Sequence, residues 1–379
     1  MAAPRIILLL LGISLFSLTC CHPQQNIPVS TISINQEVLA DGLQVPYAIA
    51  VIDEDDYLVT DRMGGLYRYQ NGELFEVSGI PESQTYRVDR HYGGMLEVSL
   101  HPHFEENSLV YLAYVNTDYK MMVVRFTLDG SVAGPLEEVF SSDQFSIGAR
   151  IAWEDDDHFF LTFGVGGAPK PEPGPQDLSD PRGKIFRLKA DGSIPEDNPT
   201  FTDHPDALPG IWSYGHRDPQ GLYYDKQTRT LYSNEHGPLG GDELNIIRKG
   251  GNYGWPLFSY GLNYDGSRVS AMTEEEAAEV SILPLKYWTP EFRLAPGCLL
   301  WVEDSNFSEW NRSFLMSGLA YQQLVRYDPE KDQTEIVLDK AGRVHDIAIL
   351  PGGDLVIVVD EHSPQFGESG RIIKLTPGN

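Results

Sequence analysis

Six times along the chain the same short pattern returns: an apolar strand, an acidic or glycine-containing turn, a second strand, a variable connection, and a third strand ending near Arg or Lys. The copies are AIAVIDEDDYLVTDRMGGLYRYQNG, LEVSLHPHFEENSLVYLAYV with VVRFTLDG, RIAWEDDDHFFLTFG with GKIFRLKADG, QGLYYDKQTRTLYSNEHG with ELNIIRKG, CLLWVEDSNFSEWNRSFLMSGLAYQQLVRYDPE, and IAILPGGDLVIVVDE with GRIIKLTPG. Apolar and polar residues alternate with period 2 in each, and turn residues punctuate them, which specifies antiparallel strands. One such unit cannot bury both of its faces, and closing several into a ring removes the exposed ones. The expected fold is therefore all-β, a six-bladed β-propeller of four-stranded antiparallel blades. The early strand STISINQEV is expected to complete the last blade and close the ring.

Copies three to five carry long insertions: GVGGAPKPEPGPQDLSDPRG, EHGPLGGDELNIIRKGGNYGWPLFSYGLNYDGS and the partly helical AMTEEEAAEVSILPLKYW. Long loops on a rigid scaffold are where binding and catalytic residues concentrate, so a site is expected on the face these insertions reach. Acidic residues outnumber basic ones 55 to 28, a net charge of -27 that repels nucleic acid and anionic lipid.

Ahead of the ring, residues 1–21 have the form of an export signal: Arg5, an apolar run too short for a comfortable membrane span, then Cys20 and Cys21. The segment LTCC resembles a bacterial lipoprotein box with Cys21 as the lipidated residue, and anchoring there and plain cleavage both remain open. Residues 22–30 read as a linker and 31–379 as the propeller domain. The expected location is exported, periplasmic or membrane-anchored. Cys298 is then left without a disulfide framework, so the core supplies the stability.

Two stretches carry groups suited to chemistry. GHRDPQG places His216, Arg217 and Asp218 between Gly215 and Pro219, where the proline withholds a backbone donor and biases Asp218 toward an extended conformation. In the repeat register this turn precedes the first strand of the fourth blade and faces the channel. Arg217 offers a fork of donors for a carboxylate or quinone oxygen, and Asp218 a counter-charge or base. An Arg–Asp pair stitching a loop together accounts for the same residues. In SNEHGPLGGDELN and the following NYGW, the carbonyls of Gly237 and Pro238, the Asp242 carboxylate and Tyr253 form an oxygen-rich set suited to a hard cation such as calcium. A Gly-rich turn with ordinary acidic residues accounts equally for that stretch. The acidic runs 53–56 and 154–157 read as solvated hairpin turns, and His101 and His103 as packing or surface residues.

The segments SYGHRDPQGL, NEHGPLGGDELN, GGNYGWP, YGGMLEVSLHPHF, GKIFRLKADGSIPEDNP and GRVHDIAILPGGDL closely resemble, in the same order, those of the soluble pyrroloquinoline-quinone-dependent glucose, sorbosone and aldose sugar dehydrogenases. The resemblance runs from about residue 40 to the C-terminus. It implies a six-bladed propeller that oxidises a sugar with the quinone and calcium in the channel mouth, passing electrons to an acceptor. It implies Arg217 as a quinone contact, Arg343 as a carboxylate partner, Gly237 and Pro238 as carbonyl ligands of calcium, and Asp242 and Tyr253 beside the ion. The match also departs at several positions. Ser146 stands where the family's histidine base is expected, Asp218 where an asparagine is, Tyr92 where a glutamine contacts the quinone, Ala320 where a lysine is, and His345 where a second arginine is. Two readings follow. In one the chain is a sugar dehydrogenase with Asp218 or His216 as base; in the other it is a catalytically lapsed propeller that binds a sugar, calcium or a protein partner.

Overall fold

The computed structural model describes residues 27–85, 93–165, 174–361 and 369–378. Tyr92 and residues 1–26, with Cys20 and Cys21, lie outside the described residues. Six antiparallel sheets follow one another around a ring. Blade 1 comprises Pro46–Asp53, Asp56–Asp61, Gly65–Gln70 and Glu73–Glu76. Blade 2 comprises Gly94–Leu100, Leu109–Val115, Met121–Asp129 and Glu137–Ser141, with the short Val132–Ala133 paired to its third strand. Blade 3 comprises Ile151–Trp153, His158–Phe163, Lys184–Lys189 and Ile211–Tyr214, and blade 4 Pro219–Asp225, Thr230–Glu235, Asp242–Ile247 and Lys286–Trp288. Blade 5 comprises Leu299–Val302, Ser313–Gly318, Gln323–Asp328 and Gln333–Leu338.

Blade 6 takes Arg343–Ile349, Leu355–Asp360 and Gly370–Pro377 from the end of the chain and Ile34–Leu43 from its beginning, in register from Ile34 opposite Pro377 to Leu43 opposite Gly370. The expected closure by the early strand is thus present, and pairing the first strand with the last leaves the ring no free seam. Residues 28–30, read as linker from sequence, run beside the outer strand of blade 5, where the Ile336 amide donates to the Pro28 carbonyl and Ser30 N to the Ile336 carbonyl.

The sequence alternation understates burial. Every residue of Asp56–Asp61 and of Leu355–Asp360 is buried, polar ones included, because each blade is covered on both faces by its neighbours. The apolar core accordingly lies between blades; Leu58, Leu96, Leu112, Phe159 and Leu161 form one cluster across blades 1 to 3.

Strand direction sorts the connections. Those that enter each blade, and those between second and third strands, emerge at one end of the ring, and the hairpins at 53–56 and 154–157 sit at the other. The blade-4 insertion leaves from the hairpin end. It climbs beside the outer strand of blade 3, with Gly250 N donating to the Trp212 carbonyl (2.7 Å) and Tyr253 N to that of Tyr214 (2.8 Å), and reaches the site end, where Leu239 and Leu262 pair. Its helix, Glu274–Val280, starts at a capping box in which Thr273 and Glu276 satisfy each other's backbone donors.

One side chain ties the whole ring together. Arg150 precedes the inner strand of blade 3 and is buried in the channel. Its Nη1 meets Glu97 Oε2 of blade 2 at 2.9 Å and Asp346 Oδ2 of blade 6 at 3.3 Å. Its Nη2 donates to the Gly297 carbonyl before blade 5 (2.8 Å) and to that of His345 (2.7 Å), and Nε to that of Gln220 in blade 4 (2.9 Å). The guanidinium lies 4.9 Å from the ring centre of Tyr47 in blade 1. Two buried carboxylates thus face one cation. Burial pushes the Glu97 carboxyl up to about 8, against the pull of Arg150. A carboxyl raised by folding binds more protons folded than unfolded, so its stabilisation is complete at low pH and disappears as pH rises through about 8. The melting temperature is expected to fall between about pH 5 and pH 8, and Glu97→Gln to flatten that fall; an identical slope in the variant would assign it to other groups.

Candidate functional site

The turn before blade 4 is built around Gly215, whose φ of +77° is costly for other residues and whose added Cβ would lie 2.2 Å from Asn252 Oδ1. The three ionisable residues that follow take different roles. His216 is fully buried: its ring stacks on Tyr253 at 4.5 Å, Nε2 is 2.9 Å from Ser213 Oγ, and Nδ1 faces Glu235 Oε1 at 3.4 Å. It wedges the turn in place and has no surface on the channel. Arg217 anchors through its amide to Glu235 Oε2 (2.7 Å) and through Nη1 to the His236 carbonyl (3.1 Å), with its guanidinium 5.4 Å from the Trp255 ring centre.

Asp218 is 1% exposed, and its Oδ1 has no hydrogen-bond partner. Burial pushes its carboxyl up to about 6, with Arg217 and the Gln220 amide pulling the other way. Its Oδ2 lies 3.8 Å from Nδ1 of His236, whose side chain is 21% exposed. His236 Nε2 is 2.8 Å from the Pro296 carbonyl, which only accepts, so the proton is assigned to Nε2 and the Nδ1 lone pair faces Asp218. Burial and the neighbouring Arg217 push the imidazole down to about 3, leaving it neutral. Sequence reading passed over His236. The signal was an imidazole directly before Gly237–Pro238, but nothing local says that it meets Asp218.

The Gly237–Gly241 turn allows no side chain at its first position, where a Cβ would lie 2.1 Å from the Gly240 carbonyl oxygen. Asp242 shapes this turn. Its Oδ1 accepts from Gly237 N (3.0 Å), and Oδ2 from Leu294 N (2.8 Å) and Ala295 N (3.0 Å), so both oxygens are engaged by backbone. Tyr253 is likewise engaged: its hydroxyl donates to the Ile246 carbonyl (2.6 Å) and accepts from Arg248 N (2.7 Å). The carbonyls of Gly237 and Pro238 take no backbone hydrogen bond among the described residues. The Asn245 amide bridges two carboxylates, Glu235 Oε1 at 3.0 Å and Glu243 Oε2 at 3.2 Å. Burial, then the charge of Glu235, holds the Glu243 carboxyl well above its usual range.

Across the channel, Arg343 is partly exposed, with Nε 3.8 Å from Asp360 Oδ1. His345 is buried, its Nε2 2.8 Å from Asp360 Oδ2, and burial lowers its basicity, so it adds no positive charge to the mouth. Ala320 is an exposed turn residue. Ser146 is fully buried: its hydroxyl donates to the Gly148 carbonyl (2.5 Å) and accepts from Gly164 N (3.0 Å), which commits it to the backbone. The site therefore joins Arg217, Asp218, His236 and the Gly237–Pro238 carbonyls at one mouth. His216, Asp242 and Tyr253 lie behind it as support, and Arg343 stands on the far wall.

Comparison with known proteins bears on this mouth. The family model for glucose / sorbosone dehydrogenase matches residues 43–373. The aldose sugar dehydrogenase YliI of Escherichia coli (strain K12) is 32% identical over 365 residues, 92% of this chain and 94% of that one. The crystal structure of the soluble aldose sugar dehydrogenase from Escherichia coli in its apo form superposes with a TM-score of 0.78 at 30% identity, over 91% of this chain and 100% of that one. The PQQ-bound aldose sugar dehydrogenase of Streptomyces coelicolor shares the fold, with a TM-score of 0.72 at 24% identity over 91% and 98% of the two chains.

Proposed function

The chain belongs to the glucose / sorbosone dehydrogenase family, and from that premise we propose that it oxidises an aldose or related sugar, using pyrroloquinoline quinone and calcium at the channel mouth. The observation that carries the proposal is Asp218: a buried carboxylate with one oxygen unpartnered, set beside a neutral imidazole that opens onto the channel. The residues at the mouth suit the two groups. Arg217 and Arg343 provide cationic partners for the carboxylates of the quinone, and the Gly237 and Pro238 carbonyls, which take no backbone hydrogen bond among the described residues, provide oxygen ligands for calcium. When bound, the quinone supplies the hydride acceptor and calcium its polarisation.

The chain's own residues manage the proton. As hydride leaves the sugar carbon, the hydroxyl on that carbon loses its proton, and Asp218 receives it. A carboxyl raised to about 6 is ionised at neutral pH yet basic enough to act, which is where a general base is effective. Ser146 is committed to Gly148 and Gly164 and has no part in that transfer. Electrons then pass to a separate acceptor. In this reading the enzyme works after export, in the periplasm or on a membrane through Cys21.

The second reading, a lapsed propeller that binds a sugar, calcium or a protein partner, is favoured by Ala320 and the neutral His345, which leave the mouth poorer in positive charge. Calorimetric titration of calcium-loaded protein with the quinone separates the two. Micromolar or tighter binding is expected, weakened by chelation, which should also lower the melting temperature. Absence of any binding heat would favour the lapsed propeller, and a melting temperature indifferent to chelation would remove calcium from the site.

A further inference from the structure

Lys184 opens the third strand of blade 3 and is fully buried, a rare place for an ammonium group. Its Nζ donates to three carbonyl oxygens, those of Gly174 at 3.0 Å, Pro175 at 3.2 Å and Arg182 at 2.7 Å. Three donors meet three acceptors, so the group is fully satisfied without a directly bonded carboxylate. Burial pushes it below the ordinary lysine range, while Asp180 and Asp177 hold it up and Arg182 opposes them. Asp180 is itself committed to Arg182, with Oδ2 2.5 Å from Nη2.

The caged carbonyls belong to residues 174–183 of the blade-3 insertion, and this part of it is bonded to the turn carrying Arg217 and Asp218. The Pro175 carbonyl that accepts from Lys184 also accepts from Gly215 N (3.0 Å), and the Gly183 carbonyl accepts from His216 N (3.2 Å). Gln176 Nε2 donates to Asn252 Oδ1 (2.9 Å) and to the carbonyl of Trp255 (2.8 Å), the residue whose ring lies beside Arg217. Val165 N donates to the Arg217 carbonyl at 2.9 Å.

We propose that Lys184 is a built-in cation that gathers residues 174–183 of the blade-3 insertion onto the Gly215–Asp218 turn and thereby sets the position of Arg217 and Asp218. It is a positioning residue, and its bearing on catalysis rests on the sugar dehydrogenase reading. The physical ground is convergence: three carbonyl dipoles aimed at one buried point repel one another and lose their hydrogen bonds if the cation is removed.

The test is amide hydrogen exchange at Gly215 and His216 in Lys184→Ala, with and without ethylammonium. Exchange at both amides is expected to accelerate by roughly tenfold or more, the loss of about one hydrogen bond's free energy. Ethylammonium, whose three N–H groups reach the same carbonyls, should restore protection, whereas tetramethylammonium, which has none, should not. In the quinone- and calcium-loaded enzyme, turnover should fall roughly a hundredfold and recover with ethylammonium alone. Unchanged exchange in Lys184→Ala, or equal recovery with tetramethylammonium, would overturn the proposal. If Lys184→Ala does not fold, Lys184→Gln, with two neutral donors, should show intermediate protection, and protection equal to the unaltered protein would overturn it. A loaded, unaltered protein that turns over no sugar would defeat the dehydrogenase reading and leave the exchange measurement to decide the clamp.

Discussion

Asp218→Asn is expected to lower turnover of an aldose by the quinone- and calcium-loaded enzyme by about a thousandfold, the range a general base contributes. The substitution keeps the shape of the side chain and removes its basicity, so sugar binding should change little and the loss should lie in kcat. The pH profile gives a second readout. Because burial raises Asp218 to about 6, the rate of the unaltered enzyme should fall as pH drops through that value, and Asp218→Asn should lose this acid limb. An undiminished rate in Asp218→Asn would reject it as the base. Asparagine is also the residue that related sugar dehydrogenases are expected to carry here, with histidine at position 146. Adding Ser146→His to Asp218→Asn is therefore expected to recover weak activity. Complete silence of that pair would mean that the pocket no longer seats its cofactor.

Arg150→Met should cost about 3–5 kcal/mol of stability, the price of leaving a buried carboxylate without its partner. For a chain of this size that corresponds to a fall in melting temperature of about 4–7 °C. Methionine matches the length of the arginine stem, so the loss reflects charge and hydrogen bonding more than volume. Glu97 and Asp346 are left facing each other with no cation between them, and three carbonyls lose their donor. Combining Arg150→Met with Glu97→Gln and Asp346→Asn should restore part of the stability, because the uncompensated charge goes with them. Arg150→Lys should restore less than its charge suggests, since an ammonium has three donors and cannot span the fork that reaches separate blades. A melting temperature indistinguishable from that of the unaltered protein would show that the ring does not depend on this hub.

Much of the scaffold was legible because it is written locally. Alternation at period 2, turn glycines and acidic hairpins recur in each copy, and the early strand could be matched to the incomplete final one. The chemistry was only partly legible. Reading His216, Arg217 and Asp218 as one constellation was natural for three adjacent ionisable residues, yet the backbone at Gly215 sends His216 into the wall against Tyr253 and leaves Asp218 to meet His236. Asp242 and Tyr253 had the right atoms for a cation, and backbone amides and carbonyls claim them instead.

By itself the sequence determined the repeat, the number of blades, the order of their strands and the family, because strand formation and turn geometry depend on neighbours a few residues apart. Only the tertiary structure decided which polar groups are buried together. Arg150 meets Asp346 across a separation of 196 residues and Glu97 across 53, Asp218 meets His236 between strands, and Lys184 finds three carbonyls in a loop. Those pairings follow from how six sheets pack around one axis, where burial removes water and each charge must find its partner in whichever blade lies nearest.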